Sequence, residues 1–224
     1  MRRGTLSPVI ASQRVLFCDN DLLAVNKLCG ELTVQGAGES DKASLLDFLR
    51  REYPGLRPLH RLDFETSGVV VFARTKRAFD AVREAKFAGW RKVYRALIVG
   101  QLPHDAGEVR LPLPSRGEGM VPAITRYRVL GAFANSSLVE AEIGTGRYHQ
   151  IRRHFAAIHH PLMLDHVYGL KHVNRVFTQE FHLRKFFLHA FSVDLPHPLT
   201  GEKLHIEAPL PRAFEEILKK LRSL

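Results

Sequence analysis

His60-Arg61-Leu62-Asp63-Phe64-Glu65-Thr66-Ser67-Gly68 runs directly into the apolar stretch Val69-Val70-Val71-Phe72-Ala73. An uninterrupted apolar run of this length, entered from turn-forming residues, reads as a buried strand. Ahead of it, Asp63 stands alone among basic and small polar residues. Asp, Thr, Ser and Gly together favour a loop, where the carboxylate can satisfy backbone donors. The same placement can hold a single acid for chemistry, so Asp63 is the first candidate for a catalytic residue.

Upstream, Val15-Leu16-Phe17 and Leu22-Leu23-Ala24-Val25 read as an opening pair of strands joined through Cys18-Asp19-Asn20-Asp21. The stretch Gln35-Gly36-Ala37-Gly38-Glu39-Ser40 breaks regular structure. Ser44 can cap a helix that runs to about Tyr53, with Leu45, Phe48 and Leu49 on one face, and Pro54-Gly55 ends it. Thr75 caps a second helix reaching about Phe87, with Phe79, Val82 and Ala85 inward and Lys76, Arg77, Arg83 and Lys86 outward. Lys92 to Val99 alternates as a strand, and Gly107 to Gly119, punctuated by Pro112 and Pro114, is expected to be a flexible arm.

Farther on, Ile124–Leu130 and Leu138–Ile143 read as paired strands, and Gly144-Thr145-Gly146 turns the chain into a helix starting near His149. Late strands are expected around Phe186–Val193 and Leu204–Glu207. A closing helix from Pro211 carries Phe214, Ile217, Leu218 and Leu221 on one face. Antiparallel strands with interspersed helices define an α+β fold rather than a regular βαβ array.

The chain has 224 residues, 45% of them hydrophobic, enough for one catalytic domain spanning residues 1–224. It lacks an apolar run of membrane-spanning length and an apolar signal core, so a soluble, cytoplasmic protein is expected. Cys18 and Cys29 are too few for a disulfide scaffold and lack metal-ligand spacing, which suggests burial as small apolar side chains. The net charge of +10 points to a polyanionic partner such as RNA. Eight Lys or Arg residues fall between Arg74 and Arg95, against Asp80 and Glu84. Seven of the twelve histidines lie between His149 and His182, with no cysteine among them. That composition favours RNA-facing histidines over a zinc site, and no metal is expected.

The quoted segment resembles the signature of RluA-type pseudouridine synthases: His-Arg-Leu-Asp, two variable residues, then Thr-Ser-Gly. Further matches follow in order. Asp21-Leu22-Leu23-Ala24-Val25-Asn26-Lys27 is similar to the family's opening strand, Lys92-Val93-Tyr94-Arg95-Ala96 carries its tyrosine, and Thr145-Gly146-Arg147-Tyr148-His149-Gln150-Ile151-Arg152 matches its Gly-Arg-x-His-Gln-[Ile/Leu]-Arg block. Asp165-His166-Val167-Tyr168-Gly169, Leu188-His189-Ala190 and His197-Pro198 complete a resemblance covering roughly residues 14 to 210. Two positions depart from it: Leu28 stands where many members have Pro, and Phe64 where many have a basic residue.

The resemblance implies a pseudouridine synthase fold: a mixed, mainly antiparallel sheet with flanking helices and a central active-site cleft, and no accessory S4 domain. It implies that the protein isomerises a uridine of structured RNA without a cofactor. Asp63 becomes the catalytic carboxylate, Arg152 its ion-pair partner, and Tyr94 the ring stacking on the target uracil. Leu188 lies beneath the base, and Arg61 fills the space of the flipped nucleotide. His60 is a loop-shaping or substrate-binding residue, and Arg147, Arg153 and His154 are candidates for phosphate contacts. The run Arg152-Arg153-His154 with Asn174-Arg175 resembles the tRNA-directed branch more than the ribosomal one, so tRNA is the expected substrate, with large-subunit ribosomal RNA as a further one. A catalytically inert RNA-binding or ribosome-assembly protein of the same fold is the alternative. A phosphotransferase is set aside, since neither a glycine-rich phosphate loop nor a separate Asp-Phe-Gly accompanies His60–Phe64.

Overall fold

The computed structural model describes residues 12–36, 43–115, 117, 119–182 and 187–223. The expected irregular stretch at residues 37–40, two positions of the expected arm (116 and 118) and the start of the late strand at Phe186 lie outside the described residues. The chain divides into two compact units: residues through Trp90 with Val193–Ala208, and Arg91–Ser192 with residues from Pro209 onward.

In the first unit, β1 (Val15–Cys18), β2 (Leu22–Lys27) and β4 (Ser67–Ala73) lie side by side. The short β3 (Arg57–Pro58) also pairs with β4. All seven residues of β4 are buried, as the apolar run requires, and β2 pairs with it antiparallel, Leu22 opposite Ala73 and Lys27 opposite Gly68. Gly68 has φ 111°, a left-handed conformation that glycine adopts without steric cost. The core gathers Leu22, Ala24, Val69 and Val71 with Val193, Leu195 and Ile206 from β11 (Leu188–Pro196) and β12 (Lys203–Glu207).

Helix α1 (Leu45–Glu52) begins at Ser44 in a reciprocal capping box: Asp47 N–H donates to Ser44 Oγ and Ser44 N–H to Asp47 Oδ2. Its buried face is Leu45, Leu46 and Leu49, while Phe48, expected inward, is 36% exposed under the Arg51 guanidinium. Helix α2 (Lys76–Glu84) is capped by the Thr75 hydroxyl as expected but stops short of Phe87. Lys86 and Phe87 take positive φ, and the Phe87 N–H closes back on the Val82 carbonyl. That left-handed exit carries the Phe87 ring to Trp90, 5.3 Å between centroids, and leaves Ala85 exposed, with Ala78 buried beside Val82 instead.

In the second unit β11, β5 (Arg91–Val99), β10 (Ser136–Ile143), β9 (Ile124–Phe133) and β6 (Ala106–Arg110) follow in that order. Every pairing with a defined register is antiparallel. The expected arm is therefore partly sheet: β6 pairs with β9, and β7 (Leu113–Pro114) forms a small ladder with β8 (Met120–Val121). Helix α3 (Gln150–Ala157) packs on β6 and β9, its fully buried Phe155 beside Tyr127. Helices α4 (Lys171–Phe181) and α5 (Arg212–Arg222) meet around Phe187, whose ring approaches Phe177 and Phe214.

Both cysteines differ from the expectation of burial. Cys18 is exposed and Cys29 only half-buried, because β1 ends the strand order and Cys29 sits in a turn. Among the described residues no helix is long and apolar enough to cross a membrane.

Candidate active site

The loop carrying Asp63 is tied down from the segment after β2. Lys27 is fully buried, and its Nζ donates to three carbonyl oxygens: Thr66 at 2.6 Å, Leu28 at 3.0 Å and Phe64 at 3.1 Å. Burial pushes the ammonium down to about 8, and the neighbouring Cys29, Glu31 and Asp63 oppose that shift. The Thr33 hydroxyl accepts from Leu62 N–H and donates to the Leu62 carbonyl, while Gly30 N–H donates to the Phe64 carbonyl. Thr66 N–H closes a turn on the Asp63 carbonyl. Asp63 itself is half-buried and Arg61 is exposed.

This bracing explains both departures from the family signature. The Phe64 carbonyl accepts from Lys27 and from Gly30 N–H, so these two bonds hold the loop through the backbone whichever side chain stands there, and the Phe64 ring is 42% exposed. Leu28 N–H donates to Glu31 Oε2 at 2.8 Å, a bond that proline forfeits; Arg14 holds the same carboxylate in a two-pronged pair. His60 is anchored inward: its Nε2 accepts from the Val71 N–H at 3.1 Å, and its ring meets Trp90 edge-on.

In the second unit, Tyr94 on β5 and Leu188 at the head of β11 are 7% and 5% exposed. Arg152 on α3 is 4% exposed, too deep to serve as a surface phosphate clamp. Its Nε and Nη2 donate to the two carboxylate oxygens of Asp165 at 2.6 and 2.8 Å. Asp165 is fully buried. Burial alone would raise its pKa, but the two Arg152 bonds and the N–H groups of Val167 and Tyr168 outweigh it and hold the carboxyl below its usual value.

Asn174 completes this arrangement, accepting from Leu164 N–H and donating to the Asp165 carbonyl. The loop from Asp165 also needs Gly169, since a Cβ there would lie 2.2 Å from the Asp165 carbonyl oxygen. Arg147 is exposed, and Arg153 donates to the Tyr168 hydroxyl.

His154 does not fit the expected phosphate role. It is fully buried, its Nε2 bonds the Leu111 carbonyl, and burial lowers its pKa, favouring the neutral ring. His160 likewise bonds the Val99 carbonyl, so this histidine-rich segment partly serves its own backbone. No group of three or more potential metal ligands occurs among the described residues.

Sequence reasoning placed Lys27 in a motif without a duty and quoted Asp165 without a partner. A signal for the second was present: Asp165 follows Pro161-Leu162-Met163-Leu164, and a carboxylate carried into such surroundings requires a cation.

Residues 21–157 match the family described as RNA pseudouridylate synthase, and the chain belongs to that family. It is therefore an isomerase of the pseudouridine synthase type. The chain is 37% identical to the ribosomal large subunit pseudouridine synthase C of Pasteurella multocida, over 94% of its own length and 68% of that protein's. Its identity to the Escherichia coli K12 protein of the same name is 35%, over 93% and 70%. Among solved structures it resembles the human RNA pseudouridylate synthase domain containing 4 protein, with a TM-score of 0.79, 26% identity and 94% of each chain covered. The human domain containing 1 protein follows with a TM-score of 0.70.

Proposed function

We propose that this synthase isomerises a uridine of large-subunit ribosomal RNA, with Asp63 as its catalytic carboxylate. The observation that carries the assignment of Asp63 is the bracing of its loop. Lys27, Gly30 and Thr33 spend their hydrogen bonds on the backbone of Leu62, Phe64 and Thr66, which fixes the chain on both sides of Asp63 and leaves its side chain half-buried. Such fixing favours a group that must meet a reacting atom in one geometry.

The reaction breaks the bond between uracil N1 and the ribose, turns the ring, and rejoins it through C5; C5 loses its proton and the freed N1 gains one, so substrate and product are isomers. Attack of the carboxylate on the sugar, attack on the base and removal of a sugar proton all require the same ionised acid. In this reading Arg152, oriented by Asp165, supplies a fixed positive charge for the chemistry, and Tyr94 stacks on the uracil with Leu188 beneath it. Arg61, exposed on the same loop, occupies the space the target vacates when it leaves its stack. The chain is a single catalytic domain acting in the cytoplasm.

The choice of ribosomal RNA over tRNA follows the named relatives. Of the features that resembled the tRNA-directed branch, Arg152, His154 and Asn174 are buried and bonded within the protein, while Arg153 is half-buried and Arg175 exposed. Purified protein should be incubated with unmodified large-subunit ribosomal RNA and tRNA transcripts, followed by pseudouridine mapping. Wild type is expected to modify the ribosomal transcript, while Asp63→Asn makes no product but still binds it. Activity in Asp63→Asn would remove the carboxylate from its role, and product confined to tRNA would replace the substrate.

A further inference from the structure

Tyr148 occupies the variable position of the Gly-Arg-x-His-Gln block, and it is 66% exposed. Its ring is nevertheless held in place. The His149 imidazole stacks on one face, 3.7 Å between centroids and 23° from parallel. His149 Nδ1 bonds the Tyr168 hydroxyl at 3.0 Å, and Arg153 Nε donates to that hydroxyl at 3.0 Å. The Arg153 guanidinium also lies 5.7 Å from the Tyr148 ring centre. Tyr168 N–H ends on Asp165, so an exposed ring is tied by a short series of contacts to the buried Arg152–Asp165 pair.

The backbone supports the same arrangement. His149 adopts φ 54° and ψ 33°, a left-handed conformation uncommon for a residue with a Cβ, at the start of α3. A side chain kept in the open by such bracing presents an aromatic face rather than filling a core. Arg153 over the ring and Arg147, exposed at the preceding position, suit a flat ring joined to a phosphate. Unpaired RNA bases are recognised in this way, by stacking on aromatic and guanidinium planes.

We propose that Tyr148, backed by His149, is a stacking shelf for an unpaired base of the RNA substrate other than the target uridine. Arg147 and Arg153 supply the charge for that nucleotide's phosphate. The inference rests on the RNA-modifying reading above, and it adds a point of substrate selection outside the residues assigned to the chemistry.

The test is equilibrium binding of a single-stranded RNA 12-mer carrying 2-aminopurine, measured across a salt series for wild type, Tyr148→Phe, Tyr148→Ala and Arg147→Ala. Circular dichroism confirms that each variant is folded. Tyr148→Ala should weaken binding by roughly five- to a hundredfold and lose the quenching of 2-aminopurine, whereas Tyr148→Phe retains both. Its salt slope should stay that of wild type, while Arg147→Ala should lower the slope by about 0.7. Binding by Tyr148→Ala within about twofold of wild type, or no binding by wild type, would overturn the shelf. If wild type makes no pseudouridine yet binds RNA in a Tyr148-dependent way, the proposed substrate reading fails and the shelf stands. If it makes pseudouridine and binding ignores Tyr148, the shelf fails and the enzyme stands.

Discussion

Arg152 and Asp165 form an ion pair inside the second unit, and the cost of breaking it should exceed that of any surface charge. Loss of one member leaves the other charged and buried, which typically destabilises by about 3–5 kcal/mol. Because Asp165 is held below its usual pKa, its stabilising contribution is complete above about pH 3.9, the ordinary value, and is lost as pH falls through the folded one. Urea unfolding of wild type should therefore show stability falling steeply below about pH 4, with a shallower fall from a lower start in Asp165→Asn. Lys27 has the opposite sign. Its pKa is lowered to about 8, so the fold disfavours the ammonium, and the cost present at neutral pH is relieved between about 8 and about 10.4. The stability advantage of wild type over Lys27→Met should grow across that window in the same measurement. Asp63, Tyr94 and Arg152, the residues proposed for the chemistry, stand in short motifs that single them out in the sequence. The work of Lys27, Asp165 and Asn174 was not, since each acts on atoms chosen by tertiary contact.

Among elements, the starts of helices were easier to read than their ends. Ser44 and Thr75 cap through their own side chains within three residues, a rule contained in the sequence. The end of α2 depends instead on Trp90, toward which a left-handed exit turns Phe87, and nothing in the local pattern announces it. The buried strand β4 and the alternating β9 and β10 were evident from period alone, whereas the pairing of β6 with β9 was hidden behind two prolines. The loop between α3 and α4 makes its own prediction. Gly169→Ala forces a methyl group into the Asp165 carbonyl, so the backbone must shift and carry Tyr168 with it. A drop in melting temperature of several degrees, with weaker RNA binding, is the expected outcome; unchanged melting would show that the loop yields freely.

At the scale of the molecule, the charge of +10 and the mixed, largely antiparallel architecture could be read in advance, because both depend on totals and alternation. The division into two units could not, because it is made by contacts between residues far apart in sequence. Each unit is assembled from two separate pieces of chain. The first contains everything described through Trp90 but lacks Val193, Leu195, Ile206 and Ala208 of its core until the second has almost been passed through. The second in turn ends with α5, whose Phe214 packs on Phe187. During synthesis on the ribosome, then, neither unit can finish folding while the other is still being made. The first ninety or so residues must wait as an incomplete sheet while over a hundred more emerge. Each unit therefore waits on the distant segment that closes it, and a ribosome that stalls before α5 leaves an unfinished core exposed.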